Sequence, residues 1–309
     1  MNIPRAVATR SIAGSVVVIV LVFGLQAVTS QANPTLESAQ RHFYNGNYDL
    51  AAAVTQRLCE ARPDDLDACE LRTASLLFQI KKALRETGAR DKTTAWNACA
   101  ACPALMSTFL AETGRGQTLA RARLKIHPDD EETLFFLGKV DLNDVWLQLG
   151  TLGRKTGWDE YWEARRSLDH ALRLNPAHVR ARVARAWVDY IVGTSVPRGV
   201  RWLLGGGNKE RGLRAVREVV TRGGGDFFVR TEATFALWDM QVREHEVSGA
   251  VATARTLALD FPDNAELRKF LTDHDRTTGM TISAAPRRVI AAVASDPGSD
   301  AGLAARRVR

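Results

Sequence analysis

The chain has 309 residues, 45% of them apolar, and a formal net charge of +7. That length exceeds one ordinary core, so it implies two domains or a repeat array in which each unit buries itself only against its neighbours. Residues 1–32 carry +2 and residues 276–309 carry +4, which leaves a body of +1, and so neutral a body excludes whole-domain nucleic-acid binding.

The first predicted element is an export segment. Arg5 and Arg10 precede an apolar run from Ile12 to Val28, and Ser30-Gln31-Ala32 offers a small-residue cleavage site before Asn33-Pro34. This is the layout of a secretory signal peptide over 1–32. The run is slightly shorter than the roughly 20 residues of a membrane span, and Gly14, Gly24 and Gln26 weaken it. An uncleaved anchor over 12–28 is the alternative. Under either reading the arginines keep the N-terminus in the cytoplasm and the body outside it, so the expected location is periplasmic or secreted, or anchored to the inner membrane.

Residues 33–275 read as helices punctuated by one phrase: a helix end, a proline, then one or two Asp or Asn, with Asn175 before the proline in the third instance. It occurs at Pro63-Asp64-Asp65, Pro128-Asp129-Asp130, Pro176-Ala177 and Pro262-Asp263-Asn264. Proline stops the preceding helix and the polar residue after it can cap the next. A small residue stands 12 positions before three of these prolines, at Ala51, Ala164 and Ala250. Small residues there let the two helices of a hairpin approach closely. Leu134, Leu137, Gly138, Asp141, Leu142 and Val145 fall at helical spacing, as do Leu237, Trp238, Gln241 and Val242. Residues 265–274 read as a closing helix. The tail, 276–309, reads as basic and unstructured apart from a short helix over 288–294.

These phrases and spacings resemble the tetratricopeptide (TPR) family, whose unit is a helix–turn–helix of about 34 residues. The match is good over 35–65, 131–176 and 231–275 and loose over 66–128 and 178–226. The resemblance implies an all-α, right-handed helical-hairpin solenoid that binds a protein or peptide on its inner surface and needs no cofactor. The proline intervals of 65, 48 and 86 residues depart from a regular array, with excess chain around 149–157 and 193–207. Such insertions are either binding loops or tolerated surface excursions. In the family the first helix of each hairpin lines the inner surface. Carried over, that register gives Lys139 and Asn143, then Arg182, Arg185 and Asp189, then Asp239 and Arg243 as partner-contacting residues.

Cysteine is the sharpest local signal. Cys99-Ala100-Ala101-Cys102 is a C-x-x-C, and Cys59 and Cys69 flank the Pro63 turn. Structural disulfides, free buried thiols, a four-cysteine zinc site and a working dithiol all fit the spacing. The last would make the chain a thiol–disulfide accessory protein using Cys99 and Cys102. The run Gly205-Gly206-Gly207-Asn208-Lys209 lacks the spacing of a P-loop and follows no strand, so it reads as a turn. The segment before it, 197–204, carries Trp202 and two leucines and can pack as a lid or touch a partner or membrane surface. Residues 178–230 carry a local charge of +7, which suits an acidic partner or is simply a solvated arginine face. No His, Ser or paired-acid constellation of an enzyme is present, so the chain reads as non-catalytic.

Overall fold

The computed structural model describes residues 34–278 apart from 155 and 223–224, with side chains through 274. The expected signal or anchor segment, 1–32, and nearly all of the expected tail, 276–309, lie outside the described residues. Among the described residues there are twelve α-helices and no strand: α1 (Leu36–Tyr44), α2 (Tyr48–Ala61), α3 (Leu66–Glu86), α4 (Lys92–Ala98), α5 (Cys102–Ile126), α6 (Glu131–Val145), α7 (Trp158–Leu174), α8 (Val179–Ser195), α9 (Lys209–Arg222), α10 (Phe227–Arg243), α11 (Val247–Asp260) and α12 (Ala265–Thr278). None of these helices is long and apolar enough to cross a membrane.

The helices pack as five hairpins, α1/α2, α3/α5, α6/α7, α8/α9 and α10/α11, and α12 closes the last. This is the all-α helical-hairpin array with inserted segments that the sequence leads one to expect. The proline phrase marks four of the links between hairpins. In each, the residue before proline (Arg62, His127, Asn175, Phe261) leaves the helical region, as a following proline requires. The backbone N–H two positions after proline then returns to that residue's carbonyl. The same returning residue caps the next helix: Asp65 accepts from the Ala68 N–H, Asp130 from Thr133, His178 Nδ1 from Ala181, and Asn264 from Leu267. The link from α9 to α10 has no proline and is capped by Asp226, which accepts from the Val229 N–H.

Ala51, Ala164 and Ala250 are fully buried, as their spacing requires. Gly116 fills the same place 12 residues before Pro128, where an added Cβ would stand 3.2 Å from the Phe136 ring.

The enlarged middle units are packed rather than loose. The segment around α4 separates α3 from α5, and α6 runs on into a π-helical stretch, Trp146–Thr151. The two build one core together: Ala95, Cys99, Cys102, Met106 and Phe109 pack with Leu76, Leu77, Ile80, Leu84 and Leu147. Lys92 Nζ donates to the Gly150 carbonyl at 3.0 Å, and Arg154 lies 5.4 Å from the Trp96 ring centroid. The second enlargement follows α8 as a 3-10 turn, Arg198–Leu204. Its return path needs glycine. A Cβ on Gly193 would fall 2.4 Å from the Lys209 nitrogen, and one on Gly207 would fall 2.5 Å from the Val192 side chain.

The array also closes on itself. Tyr44 at the end of α1 stacks on Phe235 of α10 with centroids 5.2 Å apart, and Arg41 lies 5.7 Å from the Phe227 and Phe228 centroids. Asn264 Nδ2, at the start of α12, donates to the Tyr44 carbonyl at 2.8 Å.

Candidate functional site

The first helices of the hairpins, α3, α6, α8 and α10, turn charged side chains toward a common axis. At one end Arg180 of α8 meets three carboxylates: Asp67 at 2.6 Å, Glu70 at 2.9 Å and Glu232 at 3.0 Å. Its guanidinium also lies 4.5 Å from the Phe135 ring centroid. Lys139 of α6 joins the group at 2.7 Å from Glu232 and 3.8 Å from Glu70. Burial alone would raise the Glu232 carboxyl, but the charges of Lys139 and Arg180 outweigh it and hold it down to about 2. One turn along, Asn143 Nδ2 donates to Thr73 Oγ1 at 2.9 Å, and both residues are buried.

Further along the axis lies a second charged layer. Arg243 pairs with Asp239 at 3.0 Å and lies 5.7 Å from the Trp187 centroid. Burial pushes the Glu266 carboxyl up to about 8 against the lowering charge of Arg85. Burial also lowers Lys81, opposed by the charge of Asp239.

The residues carried over from the TPR register therefore divide. Lys139, Asn143, Asp239 and Arg243 belong to the axial face. Arg182, Arg185 and Asp189 turn sideways to the neighbouring helices. Arg182 is 3.6 Å from Glu218 of α9. Arg185 lies between Asp169 of α7 and Asp189, 2.7 Å from each, and Asp189 also takes Arg211 at 2.8 Å. The axial side of α8 is held instead by Arg180 and Trp187. Glu70, Arg180, Glu232, Lys81 and Glu266 complete the two layers from outside the residues that the family register picks. Glu232 stands two helical turns before the chosen Asp239, a repeat that extends the α10 face backwards.

Two shallow cavities border these helices. One of about 220 Å³ is lined by Asp65, Asp67, Glu70, Glu132, Phe135 and Phe136 beside Arg180. The other, about 320 Å³, lies between α5 and α7 and is lined by Arg121, Lys125, Leu137, Glu163 and Arg166. Beneath the second, Asp141 is fully enclosed. Burial pushes its carboxyl up to about 8, and the hydrogen bond from Gln117 at 2.8 Å opposes the shift only in part.

The cysteines separate into two pairs. The Cys99 and Cys102 sulfurs stand at bonding distance, with Cα atoms 5.4 Å apart, inside the core shared by α4 and the π-helical stretch. The Cys59 and Cys69 sulfurs meet across the Pro63 turn at 2.9 Å, as their positions either side of that turn suggest. Arg115 lies 3.9 Å from Cys69. The hydrogen bond shared with Cys59 lowers the Cys69 thiol more than burial raises it, with Arg115 adding to the lowering. The pairs sit in different core clusters, so the four-cysteine zinc site is not assembled. No other group of three metal-ligating side chains occurs among the described residues. The glycine run turns its carbonyls, not its N–H groups, inward: Leu204, Gly205 and Gly206 all accept from Arg165.

No protein-family model matches the chain, and no curated protein does. Among solved structures, the chain is similar to a thermophilic TPR protein of Thermus thermophilus, with 14% identity and a TM-score of 0.43 over 77% of this chain and 95% of that one.

Proposed function

We propose that the chain is a non-catalytic protein-interaction scaffold of the cell envelope, exported through residues 1–32 or held at the membrane by 12–28, with an acidic protein or peptide as its partner. The observation that supports this is the axial face on which successive hairpins place Asp239 and Arg243, with Arg182 partly exposed on the adjoining α8–α9 side. Lys139 and Asn143 shape the axial face through their internal partners, and Arg185 ties α8 to α7 beside it. Arg182 is the more exchangeable cation, because its single pair with Glu218 is loose and partly exposed.

The test places a photo-crosslinking residue at positions 182, 239 and 243 of the full chain in its native envelope, with position 143 as an enclosed control. One partner crosslinked at the first three positions, absent at 143 and weakened by Arg182→Glu, supports the assignment. Crosslinks indifferent to Arg182→Glu sink it.

A second reading, a thiol–disulfide accessory protein, is favoured by the juxtaposed Cys99 and Cys102 sulfurs. Their burial works against it, at 6% and 0% exposure, because an exchanging thiolate must be reachable. Titration of the native protein with a mild dithiol separates the readings. Ready reduction of Cys99–Cys102 supports redox work, and resistance until unfolding supports a structural staple.

A further inference from the structure

Beyond the scaffold reading, we propose that the projection 198–204 is a docking knob for the surface of an anionic lipid bilayer. Its three large apolar side chains are presented together: Trp202 is 71% exposed, Leu203 53% and Val200 43%. The other large exposed apolar residues, such as Leu110 and Ile126 of α5 and Leu259 of α11, are at least eleven residues apart in sequence and form no such run.

The knob is also internally satisfied, which a segment entering the headgroup–acyl boundary must be, since hydrocarbon offers bare polar groups no partner. The Val200 N–H donates to the Pro197 carbonyl, Gly205 to Trp202, and Gly206 to Arg201. The Trp202 indole N–H donates to the Gly199 carbonyl at 3.1 Å. The ring can therefore leave water without abandoning a hydrogen bond.

From below, Tyr161 Oη donates to the Leu204 carbonyl at 2.8 Å, and Arg165 donates to the carbonyls of Leu204, Gly205 and Gly206 at 3.1, 2.5 and 3.2 Å. Gly205 takes φ +71° to make this cradle, a conformation natural to glycine. The knob is thus fixed before it meets its target, and little ordering entropy is lost on docking.

Charge selects the occupant. No acidic residue lies between Asp189 and Glu210, while Arg198 precedes the apolar tip and Arg201 stands within it, its Nε donating to the Val196 carbonyl at 2.7 Å. A tryptophan tip with an arginine collar and no acid suits anionic headgroups, where arginine pairs with phosphate and the indole settles at the interface.

The test reads the depth of Trp202 itself, so that delivery of the full chain to a vesicle by its N-terminal apolar run does not confuse it. Full-length wild type and Trp202→Phe are mixed with phosphatidylglycerol-containing vesicles whose acyl chains are brominated, and tryptophan emission is followed. The proposal expects partial quenching of the seven-tryptophan emission that is lost in Trp202→Phe. It also expects the quenching to be reduced by Arg198→Glu/Arg201→Glu and by high salt. Equal quenching of wild type and Trp202→Phe overturns it, as does equal quenching on purely phosphatidylcholine vesicles. An envelope protein that crosslinks at position 202 while Trp202 stays unquenched assigns the knob to a protein partner and overturns it as well.

Discussion

The turn inside the first hairpin and the turn inside the fifth are one structure made from different residues. Asn45, Gly46 and Asn47 return their N–H groups to Arg41, Phe43 and His42; Glu244, His245 and Glu246 return theirs to Met240, Val242 and Gln241. The central residue takes a positive φ in both, +79° for Gly46 and +57° for His245. The third and fourth hairpins share no such turn. α6 overruns into a π-helical stretch and Gly157 takes φ +89° before α7, while α8 reaches α9 only through the 3-10 projection. The outer hairpins are therefore held by local backbone rules that tolerate a change of residue. The middle ones depend on particular side chains, Arg165, Lys92 and the close-approach glycines, so their irregularity is built rather than tolerated.

The axial network binds both kinds of hairpin together, and breaking it gives the largest expected effect. Arg180→Ala takes from Asp67 its cation and leaves Glu70 and Glu232 to share Lys139 alone. Denaturant unfolding is expected to show a loss of about 3–5 kcal/mol, the usual cost of removing one partner from an enclosed ion pair. A substitution confined to the middle comes next. Gly193→Ala forces a Cβ onto backbone atoms, and a loss of about 1–3 kcal/mol is expected from overpacking; stability equal to wild type would mean the crossing has slack.

Proton linkage sharpens the contrast without altering shape. Asp141, in the third hairpin, and Glu266, at the closing helix, both titrate near 8 in the folded state, above the about 4 of an unfolded carboxyl. The native state therefore holds the extra protons between those values. Stability falls as pH rises from about 4 to 8 and is flat above. Asp141→Asn keeps the neutral shape and is expected to gain on the order of 2 kcal/mol over wild type near pH 9, with no gain near pH 4, as read by melting temperature across pH. Glu232 acts in the opposite sense: its stabilisation is present above about 4.5 and is lost as pH falls toward 2.

The smallest effect tests the equivalence of the outer turns. His245→Gly relieves a left-handed conformation and is expected to stabilise by about 0.5–1 kcal/mol, while Gly46→Ala costs about as much. Equal and opposite shifts in the unfolding midpoint would show that the two turns are energetically the same device.

Local rules explain what was legible in the sequence. Pro63, Pro128, Pro176 and Pro262 act on their immediate neighbours, so their turns and caps follow from residue type. The buried alanines 12 positions earlier follow from the same unit, and Gly116 belongs with them, although glycine mid-helix reads as a weakness. The axial face was harder because Arg180 meets Asp67 and Glu70 across more than a hundred residues. No periodicity within α8 says which of its three leading arginines points inward. The family register chose Arg182 and Arg185, and the structure turns Arg180 and Trp187 to the axis instead. The helix α4 and its shared core with the π-helical stretch were likewise hidden, since each half buries its apolar surface only against the other.

The contact between Asn264 and the Tyr44 carbonyl changes the mechanics of the array. A solenoid with free ends stretches and recoils like a spring, and frays from whichever end is weaker. Here the end turns are pinned to each other, so pulling on one loads the other and fraying of α12 releases α1 as well.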